Sequence, residues 1–192
     1  MATPLTAAID RGDPQILSGL LEKVPTALDS TTAQPCGRTA LMYASHHSRN
    51  PDVLQVLLKK GADPVKTDTR GWTGLGYAIA GERVKNLLFL LENGLPVDQP
   101  DFEGRTPLMV AVALSNLDVL NALLERGADV NAKDDAGFTA LQLAILMKKR
   151  DAAIVLTEMG SDLGHPSPVT GISIRDLAEG IMPKSLPGLR RK

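Results

Sequence analysis

Hydrophobic and polar positions alternate along this chain on a fixed ruler. The phrase GRTALMYA at 37–44 returns as GWTGLGYA at 71–78, GRTPLMVA at 104–111 and GFTALQLA at 137–144, so that the starting glycines fall on an almost constant step. Behind three of these copies stands a leucine stripe at i, i+3 and i+4: Leu54, Leu57 and Leu58; Leu87, Leu90 and Leu91; Leu120, Leu123 and Leu124. That spacing puts all three side chains on one face of a helix. A period in this range marks a solenoid, whose units bury their apolar faces only against their neighbours.

The same pattern predicts two helices per unit. Thr3, Thr39, Thr73, Thr106 and Thr139 each precede an apolar, Ala-rich segment, and a threonine there caps a helix by accepting from a free backbone N–H. Pro4 and Pro107 follow two of them, preorganised for the first helical position. First helices are expected over roughly 4–10, 40–47, 74–81, 107–114 and 140–147, and second helices over roughly 14–23, 52–60, 84–92, 117–126 and 150–158. Gly61, Gly94, Gly127 and Gly160 stand where a left-handed C-terminal cap prefers glycine. The stretches 61–71, 94–104 and 127–137 carry Gly, Pro and Asp and read as extended turns into the next unit.

The segments KKGADPVKTDTRGWTGLGYAI (59–79), EGRTPLMVAVALSNLDVLNALLERGADVN (103–131) and GADVNAKDDAGFTALQLAI (127–145) resemble the ankyrin repeat. The resemblance runs over nearly the whole chain and holds one register. It implies an all-α, ankyrin-repeat solenoid of stacked helix-turn-helix units with projecting β-turn or hairpin loops. The expected division is a single domain over 1–192: an N-terminal capping repeat at 1–34, repeats at 35–68, 69–101, 102–134 and 135–168, and a partial C-terminal cap at 169–192. Both ends diverge, as terminal units facing water do. Val24 replaces the glycine of later copies, while Gly171-Ile172-Ser173 and Leu177-Ala178 echo Gly137-Phe138-Thr139 and Leu143-Ala144. Single extra residues fall in SHHSRNP (45–51) and in the loop 160–171, where a solenoid tolerates them.

Charge and cysteine content narrow the function classes. The chain carries 21 basic and 22 acidic residues, for a formal net charge of -1. Broad attraction for nucleic acid or anionic lipid is not expected. Two local basic runs stand out, Lys148-Lys149-Arg150 and the segment 181–192 with Lys184, Arg190, Arg191 and Lys192, and both read first as solubilising patches. Cys36 is the single cysteine, so no internal disulfide forms. Neither a secretory signal nor a membrane-length apolar run is visible. The expected compartment is the cytoplasm, with export lacking a cleaved signal as the alternative, and the expected state is a monomer.

Catalytic chemistry finds no foothold in the motifs. His46 and His47 are adjacent, His165 lies in another repeat, and Cys36 stands alone, so neither zinc spacing nor a nucleophile–base pair is legible. The glycines follow the repeat period, not a phosphate loop. No enzyme activity, cofactor or metal is expected.

Binding is the function that remains. There are six aromatics, Tyr43, Trp72, Tyr77, Phe89, Phe102 and Phe138. Tyr43 and Tyr77 share a repeat position with Val110 and Leu143 and are expected to pack against the next unit, and Phe89 lies in a leucine stripe. Trp72 and Phe138 follow turn glycines, at the position held by Arg38 and Arg105 in sister repeats, and Phe102 falls at a tip. With Arg70 and Glu103 they form a surface of apolar anchors and both charge signs, suited to a protein partner. The first-helix ends add Leu114, Leu146 and Met147, an apolar strip that the family resemblance places on the concave side. The partner-binding set is therefore Arg38, Arg70, Trp72, Phe102, Glu103, Arg105, Leu114, Phe138, Leu146 and Met147. The uses that fit are an adaptor, regulator or inhibitor, with a bacterial effector acting on a host protein or a structural hub as alternatives.

Overall fold

Each first helix of the repeat starts on a threonine whose hydroxyl accepts from the first turn. The computed structural model describes residues 3–23, 37–164, 166–168 and 171–178. Val24, Cys36, His165 and the basic segment 181–192 lie outside the described residues. The helices are α1 (Pro4–Arg11), α2 (Pro14–Lys23), α3 (Ala40–His47), α4 (Asp52–Lys59), α5 (Gly74–Ala80), α6 (Val84–Glu92), α7 (Pro107–Leu114), α8 (Leu117–Glu125), α9 (Ala140–Leu146), α10 (Arg150–Glu158) and α11 (Ile174–Ala178). Oγ1 of Thr3, Thr39, Thr106 and Thr139 accepts from the N–H three residues on, and that of Thr73 from Leu75. Gln142 completes a reciprocal cap, its Oε1 accepting from the Thr139 N–H at 2.9 Å, while its Nε2 donates to the Pro166 carbonyl at 3.1 Å.

The chain packs as two compact units, residues 1–96 and 97–192. In the first, α3 lies against α1 and α5, and the second helices α2 and α4 pack together. In the second, α9 packs on α7, α10 on α8, and α11 closes on α9. One alanine per repeat, Ala8, Ala44, Ala78, Ala111 and Ala144, is buried five residues after the capping threonine and lets the first helices approach closely. The leucine stripes hold the second helices: Leu54, Leu57, Leu87, Leu90, Leu120, Leu123 and Leu124 are buried, whereas Leu58 and Leu91 sit half-buried at the stripe's edge.

In the first, third, fourth and fifth repeats the turn between the helices has a left-handed residue nine places after the threonine. Gly12 takes it at φ 68, and so do Glu82 at 57, Ser115 at 60 and Lys148 at 57. In the second repeat the matching Ser48 is extended, at φ -67 and ψ 139. The extra residue of that repeat gives the chain room to avoid the left-handed step, and Ser48 Oγ instead donates to the Asn50 carbonyl and accepts from its N–H.

The projecting loops are hydrogen-bonded turns rather than hairpins. Among the described residues the extended pairings are the isolated antiparallel bridges Lys133↔Thr139 and Pro166↔Ser173. An aspartate closes each turn and takes up N–H groups that a ladder would otherwise pair. Asp68 Oδ1 accepts from the N–H groups of Arg70 and Trp72, both at 2.9 Å. Asp101 Oδ1 does the same for Glu103 and Arg105, and Asp134 Oδ1 accepts from Phe138 at 2.8 Å. Adjacent tips touch: the Asp135 N–H donates to the Glu103 carbonyl at 3.1 Å. Gly104 sits under that contact, and a Cβ there would fall on the Asp135 carboxylate and 2.7 Å from its backbone nitrogen.

Candidate functional site

In the 1–96 unit the predicted residues gather around Tyr77. This ring is buried, its hydroxyl donates to Asp68 Oδ2 at 2.8 Å, and Arg70 Nη2 donates to the same hydroxyl at 3.2 Å. The Arg38 guanidinium lies over the ring, 4.3 Å from its centroid. Trp72 meets Tyr77 edge-on at 5.7 Å and carries Arg70 on its own face at 4.6 Å. A Cβ on Gly76 would stand 3.2 Å from the indole, so that glycine makes the seat on which Trp72 lies. Arg38 and Trp72 are thus half-buried and held by aromatic and cation–π contacts inside the unit. Arg70 is exposed, with its guanidinium already oriented by Asp68, Trp72 and Tyr77.

A ladder of side chains extends this cluster along the first helices. Asp10 accepts from the Tyr43 hydroxyl, Tyr43 stacks on His47 at 4.2 Å, His47 meets His46 edge-on at 4.5 Å, and His46 meets Tyr77 at 6.4 Å. The partners of Tyr43 and Tyr77 named here stand in the preceding repeat or their own, a direction opposite to the one expected from the sequence. Burial lowers the pKa of both His46 and His47. The Tyr77 carbonyl opposes the shift at His46, and Asp10 opposes it at His47. Burial also works against charge on Asp68, but the Trp72 N–H, the Tyr77 hydroxyl, the Arg70 N–H and the Arg70 guanidinium outweigh it and hold the carboxyl below its ordinary value. Gly81 ends the strip, packed so closely under the His46 carbonyl that no Cβ fits.

The 97–192 unit presents a different surface. Phe102 is 67 % exposed at its tip. Beside it Arg105 pairs with buried Asp101 at 2.8 Å and with exposed Glu103 at 3.0 Å. Phe138 is half-buried, like Arg38, Trp72 and Arg105 at the equivalent position. On the first-helix ends Leu114, Leu146 and Met147 are 44 %, 47 % and 44 % exposed. Immediately after Leu114 and Met147 the chain opens into a cleft of about 290 Å3 lined by Ser115, Leu117 and the run Lys148–Ala152. The tip set and the helix-end set both lie in this unit, at opposite ends of the first helices, and Lys148, Lys149 and Arg150 follow directly on Met147.

In the sequence that basic run reads as a solubilising patch, and the aspartates of the loops read only as turn residues. Asp68, Asp101 and Asp134 recur at the repeat period, which was a legible signal for a structural carboxylate. The Asp10–Tyr43–His47–His46–Tyr77 ladder had a weaker signal, because its members occupy three repeats and only the two tyrosines recur as one residue type at one repeat position. Among the described residues no three His, Cys, Asp or Glu side chains are arranged to hold a metal ion. No helix among them is long and apolar enough to cross a membrane.

The class that this geometry defines, a stack of threonine-capped helix pairs joined by aspartate-closed turns, agrees with the family comparison. The model for ankyrin repeats (3 copies) matches residues 1–68 and 65–134. The chain belongs to the ankyrin repeat family. Over 91 residues it is 33 % identical to the E3 ubiquitin-protein ligase KEG of Arabidopsis thaliana, a stretch that is 47 % of this chain and 6 % of that protein. The chain thus spans a small fraction of that relative's length. Its general role is the protein–protein interaction typical of ankyrin-repeat proteins.

Proposed function

We propose that the chain is a non-catalytic adaptor or regulator that grips one protein partner, and an inhibitor where the covered surface belongs to an enzyme. One observation carries this reading. In the 97–192 unit, Phe102, Leu114, Leu146 and Met147 are large apolar side chains left facing solvent, and Leu114 and Met147 repeat that choice at one position of two adjacent repeats. Exposed apolar clusters beside polar and charged rims are features of interfaces. Stacked repeats order such side chains before binding, so little entropy is lost on association. In the 1–96 unit, Arg70 and Trp72 extend the candidate set with a preoriented guanidinium and a partly open indole. A cytoplasmic setting belongs to this proposal and rests on the single cysteine.

The test is affinity capture by the full chain, followed by binding measurements on the partner recovered. Phe102→Ala and the combined Leu114→Ser, Leu146→Ser, Met147→Ser variant are expected to weaken binding by more than about 1 kcal/mol each, as interface anchors do. Recovery of many weak partners and no stoichiometric one would point instead to a hub without a dedicated ligand. Binding that tracks only the folded fraction of each variant would move the site elsewhere.

A further inference from the structure

We infer that the strip formed by Leu114, Leu146 and Met147, with its edge of Lys148, Lys149 and Arg150, holds an acidic amphipathic segment of a protein partner. Large apolar side chains of that segment would lie against the strip, and its carboxylates along the cationic edge. The inference rests on the protein-binding reading above and specifies what that surface recognises.

The fold does not require these residue types. Leu114 and Met147 stand eight residues after their capping threonines, and the same position in the 1–96 unit holds the exposed polar side chains Arg11 and His47, so the stack does not require an apolar residue there. The cations come at a local cost. Asn116 caps α8 by accepting from the Val119 N–H at 3.0 Å, whereas Lys149 in the matching place of the next repeat makes no side-chain cap on α10. A missing cap weakens a helix end. Lys148 in turn holds a left-handed backbone at φ 57. The same pair of features recurs at Glu82 and Arg83 before α6, so it belongs to the repeat, and the cations themselves are what distinguishes this edge.

Charge complementarity selects the occupant. Among the described residues none forms an ion pair with Lys148, Lys149 or Arg150, while Arg105 and Arg70 are paired within their own turns. The edge is therefore open to carboxylates from outside, where close approach also raises the on-rate. The chain's own segment 181–192 has four basic residues and no acidic one, so it is the wrong sign to fill this place. A bilayer meets protruding residues over a broad face, yet these three cations, with Asp151 as the one carboxylate among the lining residues, line a cleft of about 290 Å3 between two repeats. Nucleic acid is disfavoured by a net charge of -1 and by the apolar half of the strip.

The test selects from a displayed library of random peptides about 16 residues long, enough for four turns of helix, with the full chain as bait. The expected pool carries large apolar residues at helical spacing flanked by Asp and Glu. The leading peptide, made synthetically, is expected to bind at least about tenfold more tightly than its version with Gln for every acid, and the gap should close as salt rises. Lys148→Glu, Lys149→Glu, Arg150→Glu together, and separately Leu114→Ser, Leu146→Ser, Met147→Ser together, should each weaken it by at least about tenfold with unchanged thermal melts. A peptide with Lys in place of its acids should regain binding on the charge-reversed variant. Selected peptides without acidic bias, or indifferent to both variants, overturn the inference while leaving the protein-binding reading intact. Sedimentation with phosphatidylserine vesicles in preference to peptide, or self-association relieved by the serine variant, also overturns it. A chain that selects no peptide and captures no stoichiometric partner overturns both.

Discussion

Glu82, Ser115 and Lys148 hold left-handed backbone at a position where the first repeat uses Gly12. A Cβ in that region costs about 1 kcal/mol or more, and glycine removes the cost. Glu82→Gly is therefore expected to stabilise the chain by about 0.5–1 kcal/mol, read as a raised urea midpoint at constant slope. The reverse change separates two duties of glycine. Gly127 has φ 82 and open space where a Cβ would go, whereas a Cβ on Gly104 would meet the Asp135 tip. Gly127→Val should cost about 1–2 kcal/mol, from backbone strain alone. Gly104→Ala adds displacement of the neighbouring tip to that strain and should cost more, about 2–4 kcal/mol. The glycines were legible from their period, but the difference between these two was not, because it depends on what the next repeat places overhead. The aromatics divide in the same way. Phe102 touches water, whereas Trp72 is seated on Gly76 and against Tyr77. Phe102→Ala should stay within about 0.5 kcal/mol of wild type, as surface changes do. Trp72→Ala should cost about 1–2 kcal/mol, because it removes an aromatic pair and the area the indole covers. Both values are read from the same urea titration.

At the scale of elements, helix positions followed from the sequence almost residue for residue, because threonine caps, a leucine stripe and a terminal glycine each mark a helix boundary or face. The turns were less legible. Glycine, proline and aspartate announce a turn, but they do not say that the Asp68 carboxylate holds two backbone N–H groups, a tyrosine hydroxyl and an arginine at once. This arrangement has a pH signature. The Asp68 carboxyl is held below its ordinary range, so its contribution to stability is complete above about pH 4 and is lost as pH falls through the lowered value. His46 and His47 are likewise lowered, by burial, so their neutral forms favour folding fully above about pH 6.5 and progressively less below it. Arg38 and Arg83 reinforce the lowering at both histidines, and Asp10 acts against it at His47. Denaturant midpoints measured from pH 8 to pH 3 should accordingly fall in two stages. His46→Gln with His47→Gln should flatten the upper stage, and Asp68→Asn the lower. A single unbroken decline unaffected by either change would show that these groups are not what the acid transition titrates.

At the scale of the whole molecule, a solenoid distributes stability through neighbours, so the consequence of a lesion depends on how many faces it serves. In the 97–192 unit α9 is the shared element: α7, α10 and α11 all pack on it, and Leu141 is fully buried in its first turn. Leu141→Ala should cost about 2–5 kcal/mol, the range for a large-to-small change in a packed core. Its effect on hydrogen exchange should not be confined to α9. Amides of α7, α10 and α11 are expected to lose protection together, because each loses the partner that buries it. Deleting 184–192 removes charged and proline-containing chain beyond α11 and should lower stability far less than Leu141→Ala. The two lesions, compared by urea denaturation and exchange on the same preparation, decide whether the stack behaves as a chain of nearest-neighbour interfaces. If the deletion proves the worse one, the last residues supply part of the terminal cap, and the stabilising edge of the unit lies beyond Ala178. If Leu141→Ala leaves α7 protected, the coupling between adjacent repeats is weaker than their shared alanine and leucine core implies.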